Sequence, residues 1–218
     1  MSFKKKINKN LWVLIPAYNE EKSIKEVINR TKKFVSNILI INDGSTDNTH
    51  LILNKIKNIE VINILNNSGK ANALKLGMEY LKKKDAKRII TIDGDLQHLP
   101  EEIPFLLEIN ADLVIGARKK LNTPMPIIRK IGNYLASKII LMQLGIKIKD
   151  PQSGFRIYNQ NALNELNFEG NNFNIEKKTL EQACKKKLSI KEVPISCIYN
   201  IKRKSYFKLK DAIEFLKN

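Results

Sequence analysis

Residues 11–20 read LWVLIPAYNE: five apolar residues, a proline, then a polar loop closed by an acid. An apolar run without alternation suits a strand covered on both faces, and a proline at its end removes a ladder donor. The same form recurs outward along the chain. Ile38–Ile41 runs into Asn42-Asp43-Gly44-Ser45, and Arg88–Ile92 runs into Asp93-Gly94-Asp95; Glu60–Leu65 is a further strand. Helical patterns lie between, over Glu20–Val35, Thr49–Ile56 and Lys70–Lys83, with Pro100–Ile109 helical and Asp112–Ala117 a strand after them. Alternation through residue 118 predicts an α/β fold: a mostly parallel, doubly wound sheet with helices on both faces.

The second half is less regular. Ile127–Leu144 reads as a long helix and Asp150–Arg156 as a loop. Asn174–Lys186 is read as a helix, Ser189–Val193 as a strand before Pro194, and Phe207–Leu216 as a short amphipathic helix. No internal repeat or low-complexity linker divides the chain, so one domain over residues 1–218 is expected.

Composition narrows the function. The two cysteines, Cys184 and Cys197, argue against a disulfide framework or a zinc cluster and suit a reducing cytoplasm. No segment approaches the roughly 18 to 20 apolar residues of a membrane span, and the basic start MSFKKKINKN lacks the apolar core of a secretory signal. A cytoplasmic protein without a transmembrane segment is expected. The net charge of +17 is uneven: residues 177–210 carry eleven Lys and Arg against Glu181 and Glu192. Such charge suits anionic lipid, phosphorylated substrates or nucleic acid, or simply solvated lysine faces.

In open α/β sheets ligands bind beyond the carboxyl ends of the strands. The polar loops after the first, second and fourth strands all fall there. Asp47 reads as a turn former or helix cap. Asp93 and Asp95 flank a flexible glycine at a strand end, where both carboxylates and the Gln97 amide can face one hard cation, Mg2+ or Mn2+. His98 has no His or Cys partner at metal spacing and is read as structural or supporting.

Five motifs, Pro16–Glu20 (PAYNE), Asn42–Thr49 (NDGSTDNT), Gly69–Leu74 (GKANAL), Asp93–Pro100 (DGDLQHLP) and Asp150–Arg156 (DPQSGFR), stand in the order found in glycosyltransferase family 2. The chain resembles that family's branch of dolichyl- or undecaprenyl-phosphate sugar transferases over about residues 11–156. The resemblance implies a GT-A fold, with a nucleotide-sugar-binding half at residues 11–118 and an acceptor half at residues 119–218. It implies that Pro16, Ala17, Tyr18 and Glu20 cradle the donor nucleotide, that Asp43 contacts the base, and that Lys70 lies near the donor. It also implies that Asp93, Gly94, Asp95 and Gln97 form the metal and diphosphate site. Two consecutive acids are usual where this chain has Asn42-Asp43.

The implied reaction inverts configuration: the acceptor attacks the anomeric carbon as the nucleoside diphosphate leaves from the opposite face. A divalent ion at Asp95 and Gln97 stabilises the leaving charge. Asp150 is the candidate base for a hydroxyl acceptor, or a positioning group; an anionic lipid phosphate needs positioning more than deprotonation. Toward an acceptor phosphate the resemblance assigns Arg118, Arg129, Asn133 (where the branch has serine), Arg203 and Ser205, with Tyr206 where lysine is common. In the Asp150–Arg156 loop, Phe155 and Arg156 read as structural.

Basic and apolar residues from Lys202 to Leu216 suit peripheral contact with an anionic membrane, or equally a packed helix with lysines outward. Three readings follow: a transferase to polyprenyl phosphate; the same donor chemistry with a glycan, glycolipid or protein hydroxyl; and a non-catalytic polyanion binder. No nucleic-acid motif with stacking aromatics is present, so no nucleic-acid partner is expected.

Overall fold

Strand β1, Leu11–Ala17, lies third in a seven-stranded sheet ordered β3-β2-β1-β4-β6-β5-β7 in a computed structural model. The structure describes residues 10–118, 127–169 and 175–198. The other strands are β2 (Asn37–Asp43), β3 (Glu60–Ile64), β4 (Arg88–Thr91), β5 (Leu113–Arg118), β6 (Arg156–Asn159) and β7 (Ile190–Ile195). The helices are α1 (Ile24–Thr31), α2 (Thr49–Asn54), α3 (Lys70–Lys83), α4 (Ile103–Leu107), α5 (Ile127–Leu144), α6 (Gln160–Glu165) and α7 (Ile175–Lys185), with a 3-10 turn at Pro100–Glu102 before α4. No helix among the described residues is long and apolar enough to cross a membrane.

Side chains alternate across the sheet and divide the core in two. Trp12, Leu14, Leu39 and Ile41 pack with α3, α6 and α7 on one face, where Ala73, Met78, Leu163 and Leu180 are buried. Val13, Ile15, Ile38 and Ile40 pack on the other with Val27 and Ile28 of α1, Leu53 of α2 and Leu106 of α4. This three-layer arrangement is why β1 and β2 read as unbroken apolar runs: both of their faces are covered.

Strand β6 and helix α6 were not legible in the sequence. β6 pairs antiparallel with β4 and β5, Arg156 standing opposite both Thr91 and Ile115. Because β6 alone is reversed, it begins at the edge where the parallel strands end. The 150–155 loop is thereby delivered beside the ends of β4 and β5. Strand β7 runs through Pro194 rather than stopping before it. It pairs only with β5, at the sheet's edge, where a missing donor leaves no ladder broken. The expected Phe207–Leu216 helix lies outside the described residues.

Candidate active site

The β1 and β2 loops are stitched together before any ligand enters. Asn19, at φ 55, donates its backbone N–H to Ser45 Oγ (3.0 Å) and accepts at Oδ1 from the Thr46 N–H (2.8 Å). The backbone N–H of Glu20 donates to Thr49 Oγ1 (2.8 Å), and Ser23 Oγ donates to Glu20 Oε2 (2.7 Å). Asp47 accepts from the Glu21 and Thr49 N–H groups, so it braces the two loops and shapes the turn that leads into α2.

Asp43 is buried, and its carboxylate takes four hydrogen bonds from the loop before α3. Ser68 N and Oγ donate to Oδ1 at 2.9 and 2.8 Å, and Gly69 N and Asn67 Nδ2 donate to Oδ2 at 2.7 and 3.1 Å. Four bonds fill the acceptor sites of a carboxylate. The geometry gives Asp43 the task of shaping the 67–69 loop. Gly69 enters α3 at φ 90, a backbone region that glycine reaches without strain, and Lys70 follows as the first helical residue.

Lys70 is the electrostatic centre of the edge. Its Nζ lies 2.7 Å from Asp93 Oδ1 and 3.1 Å from Glu176 Oε1 at the start of α7. Burial alone lowers an ammonium's pKa, but the two carboxylates more than reverse this and raise it. Burial likewise pushes Asp93 up, yet the Lys70 ammonium and then His98 pull it down to about 2. Gly154 makes this approach possible: a Cβ there would lie 2.7 Å from Lys70 Nζ and 2.9 and 3.0 Å from the Asp93 oxygens.

Beyond Asp93 the chain turns through Gly94, which packs under Pro16 and Glu20, and Leu96, at φ 63. That left-handed residue folds Gln97 back, so its backbone N–H and Nε2 donate to the Asp95 carboxylate at 3.0 and 2.5 Å. His98 is buried with neither ring nitrogen hydrogen-bonded; Nδ1 stands 3.5 Å from Asp93 Oδ2 and the ring leans on Phe155. Burial, which outweighs the pull of Asp93, lowers its pKa and favours the neutral ring.

Among the described residues no three His, Cys, Asp or Glu side chains converge to cage a metal. A site of one carboxylate completed by substrate phosphates is the habit of Mg2+ and its relatives, and such a site fits here. Asp93 is committed to Lys70, which departs from a ligand set of Asp93, Asp95 and Gln97. Asp95, with the Gln97 amide beside it, is the carboxylate suited to a cation shared with a diphosphate.

At the end of β5, Arg118 donates its backbone N–H, Nε and Nη2 to Asp150 at 3.0, 2.6 and 2.7 Å. Asp150 is 1% exposed, and Arg118 holds its pKa below the usual carboxylate range although burial pushes the other way. Its own N–H and that of Lys149 donate to Glu192 of β7. A carboxylate so enclosed is a poor proton acceptor for a hydroxyl; it orients a guanidinium. Asn133 of α5 is also buried and donates to the Lys149 carbonyl (3.2 Å), so it braces this loop instead of facing an acceptor. Arg156 fastens the loop from below through the Ser153, Pro151 and Glu176 carbonyls. Arg203, Ser205 and the Arg129 side chain lie outside what the structure describes.

The sheet edge thus brings together Pro16, Ala17, Tyr18, Glu20, Lys70, Asp93, Gly94, Asp95, Gln97, Arg118 and Asp150. Glu176 was missed because only tertiary packing reveals its contact with Lys70. Comparison with known proteins follows this geometry. The model of glycosyl transferase family 2 matches residues 12–166. An uncharacterized protein of Methanocaldococcus jannaschii is 36% identical, covering 94% of this chain and 95% of that one. A UDP-N-acetylglucosamine–dolichyl-phosphate N-acetylglucosaminyltransferase of Methanococcus voltae is 34% identical, covering 88% and 87%. Glucosyl-3-phosphoglycerate synthase of Mycobacterium tuberculosis, solved with Mn2+, UDP and phosphoglyceric acid, superposes with a TM-score of 0.71 at 18% identity, covering 95% of this chain and 76% of that one. At that identity the likeness speaks for the fold, and it bears out the expected GT-A architecture.

Proposed function

The chain belongs to glycosyl transferase family 2, and on that premise we propose that this glycosyltransferase moves a sugar from a nucleotide-sugar donor to a polyprenyl phosphate with inversion. The observation that carries the acceptor is the enclosure of Asp150 by Arg118. A hydroxyl acceptor needs a base, and Asp150 is buried, ion-paired and depressed in pKa, while Asp93 is held at about 2 by Lys70. A phosphate acceptor is already anionic and needs a fixed guanidinium, whose planar fork suits phosphate oxygens. The dolichyl-phosphate acceptor named for the Methanococcus voltae relative supports the same reading.

In this reading the donor lies along residues 16–20, with its diphosphate toward Lys70 and Asp95. Lys70 contributes fixed positive charge, and Glu176 and Asp93 hold its ammonium in place. A divalent cation, Mg2+ or Mn2+, bound by Asp95 with the Gln97 amide and the diphosphate would supply Lewis-acid stabilisation of the leaving group. Arg118 holds the acceptor phosphate on the opposite side. An oxygen of that phosphate forms the new bond to the anomeric carbon as the bond to the nucleoside diphosphate breaks, and no proton has to be removed. The donor half at residues 11–118, the acceptor half at residues 119–218 and contact with the cytoplasmic membrane face belong to this proposal. So do the acceptor contacts from Arg129, Arg203 and Ser205.

Product identification tests it. Purified protein, Mn2+, a panel of nucleotide sugars and a short polyprenyl phosphate should yield a glycosylated lipid phosphate by mass spectrometry. A product glycosylated at a hydroxyl instead would overturn the acceptor assignment.

A further inference from the structure

Residues 148–150, which deliver Asp150 to Arg118, belong to no helix or strand. Side chains hold their backbone where a ladder would otherwise do so. Ser137 Oγ donates to the Ile148 carbonyl, and Asn133 Nδ2 donates to that of Lys149 at 3.2 Å. From β7 the Glu192 carboxylate accepts from both backbone N–H groups. The Lys149 N–H reaches Oε1 and Oε2, each at 2.9 Å, and the Asp150 N–H reaches Oε1 at 3.0 Å. One carboxylate therefore fixes two successive peptide units, the second of which carries the Asp150 side chain.

Glu192 stands opposite Ile115 on this edge strand. Side chains two apart share a face of a sheet, and Ile190 on that face packs on the core cluster that contains Ile140 and Ile148. An apolar residue is the ordinary choice beside such neighbours. It would leave the Lys149 and Asp150 N–H groups without this acceptor, and a carboxylate taken partly out of water needs such donors in return. Across residues 177–210 Glu181 is the only other acid among eleven Lys and Arg. Asp150 in turn accepts the Arg118 backbone N–H and Nε on Oδ2 and Nη2 on Oδ1. Glu192, the Asp150 peptide, the Asp150 carboxylate and the Arg118 guanidinium thus form one line of polar contacts, in which each member orients the next.

We propose that Glu192 is a positioning residue for the acceptor site. It sets the backbone of the Asp150 turn and, through Asp150, the angle at which Arg118 presents its guanidinium to an acceptor phosphate. A planar fork recognises phosphate oxygens only at the right angle, so this setting bears on acceptor binding. Glu192 acts by accepting hydrogen bonds at a fixed distance and takes no part in proton transfer. The proposal rests on the polyprenyl-phosphate reading for the identity of the acceptor alone.

Three substitutions separate this from a charge effect and from a loss of fold. Glu192→Gln keeps the Oε1 acceptor that both N–H groups share, Glu192→Asp keeps the charge but withdraws it by one methylene, and Glu192→Ala removes both. With a short polyprenyl phosphate, kcat/KM for the acceptor should fall about tenfold or more in Glu192→Ala and by a similar factor in Glu192→Asp, chiefly through the acceptor KM, with the donor KM within about twofold. Glu192→Gln should recover most of the loss. In an Asp150→Asn background, Glu192→Ala should cost less than about threefold more, because the two residues act in one line. The Asp and Gln variants decide the matter should Glu192→Ala not fold. Unchanged acceptor kcat/KM in folded Glu192→Asp, a Glu192→Gln that recovers nothing, or losses that multiply in the double variant would overturn the proposal. So would a fall in kcat alone at constant acceptor KM, the mark of lost folded enzyme. Where wild type glycosylates no lipid phosphate, the acceptor reading fails, and the positioning claim is decided on Arg118 itself by hydrogen exchange of its Nε–H in nitrogen-15 NMR. Faster exchange in Glu192→Asp than in wild type upholds it, and equal exchange overturns it.

Discussion

Arg118 and Asp150 form a closed pair: the guanidinium meets the carboxylate through Nε at 2.6 Å and Nη2 at 2.7 Å, and the Arg118 backbone N–H adds a third bond to the same oxygen as Nε. Each residue comes from a different turn at the sheet edge, and β6 is reversed so that the two meet. Asp150→Asn keeps the shape and removes the charge. Breaking a buried pair from one side costs about 3 kcal/mol of stability. We expect that loss in denaturant titrations, with kcat/KM for the acceptor down about a hundredfold and the donor KM within about twofold. An unchanged acceptor kcat/KM would mean that Arg118 does not need Asp150.

Lys70 bridges Asp93 and Glu176, which makes Glu176 a positioning residue for the donor site. Glu176→Gln should raise the donor KM about tenfold, in line with loss of one charge-assisted contact. Glu176→Asp should recover part of it. Steady-state kinetics with varied donor will separate this from a general loss of folded enzyme, which would lower kcat at constant KM.

Gly154 presses on the Lys70–Asp93 pair. In Gly154→Ala the new methyl meets the mobile end of Lys70 first, so Lys70 can move aside at the expense of the pair. Stability should fall by about 1 to 2 kcal/mol, while donor binding measured by calorimetry weakens more than stability alone would explain. Donor affinity equal to wild type would show that the pair tolerates displacement.

In the proposed function Asp95 is the carboxylate that would hold the cation. Asp95→Asn should reduce Mn2+-dependent turnover about a hundredfold or more, and Mn2+ binding followed by electron paramagnetic resonance should be weak without nucleoside diphosphate and tight with it. Tight Mn2+ binding by the protein alone would point to a protein-built metal cage instead.

Asp112 accepts hydrogen bonds from Ser189 N, Ser189 Oγ, Asn159 Nδ2 and Asn161 Nδ2, joining β5, β6 and β7 at their far ends. Burial raises its pKa, but these donors, Ser189 foremost, bring it to about 2, below the ordinary aspartate value of 3.8. Between those values the unfolded chain binds the extra proton, so the contribution is complete above pH 3.8 and lost as pH falls toward 2. Asp93, held at about 2 by Lys70, behaves alike. Thermal midpoints should therefore drop across that window, and Asp112→Asn should flatten the slope.

The sequence made legible what is local. α3 and α5 begin and end where their patterns predict, at Lys70–Lys83 and Ile127–Leu144. Strand β6 escaped because four residues give little periodicity and Arg156 looked like the end of a loop; the burial of Phe155 and Ile157 on one face and Tyr158 on the other was its faint mark. The loops of the site were visible, since Asp-Gly-Asp and Asn-Asp-Gly-Ser follow apolar strands. Their partnerships were not. Asp43 spends its carboxylate on the 67–69 loop, Asp93 on Lys70 and Asp150 on Arg118, and each of these choices is made by tertiary packing. Glu192 was hidden for the same reason, because it looks like one acid in a basic stretch until β7 brings it to the Asp150 turn.

The most direct test of the acceptor assignment is nucleoside diphosphate release by purified protein with Mn2+ and its nucleotide sugar, measured with and without a short polyprenyl phosphate. Release that rises steeply with the lipid phosphate, and that Arg118→Ala abolishes, is the expected result. Release that is indifferent to the lipid phosphate, or that appears only with a hydroxyl acceptor, would contradict it.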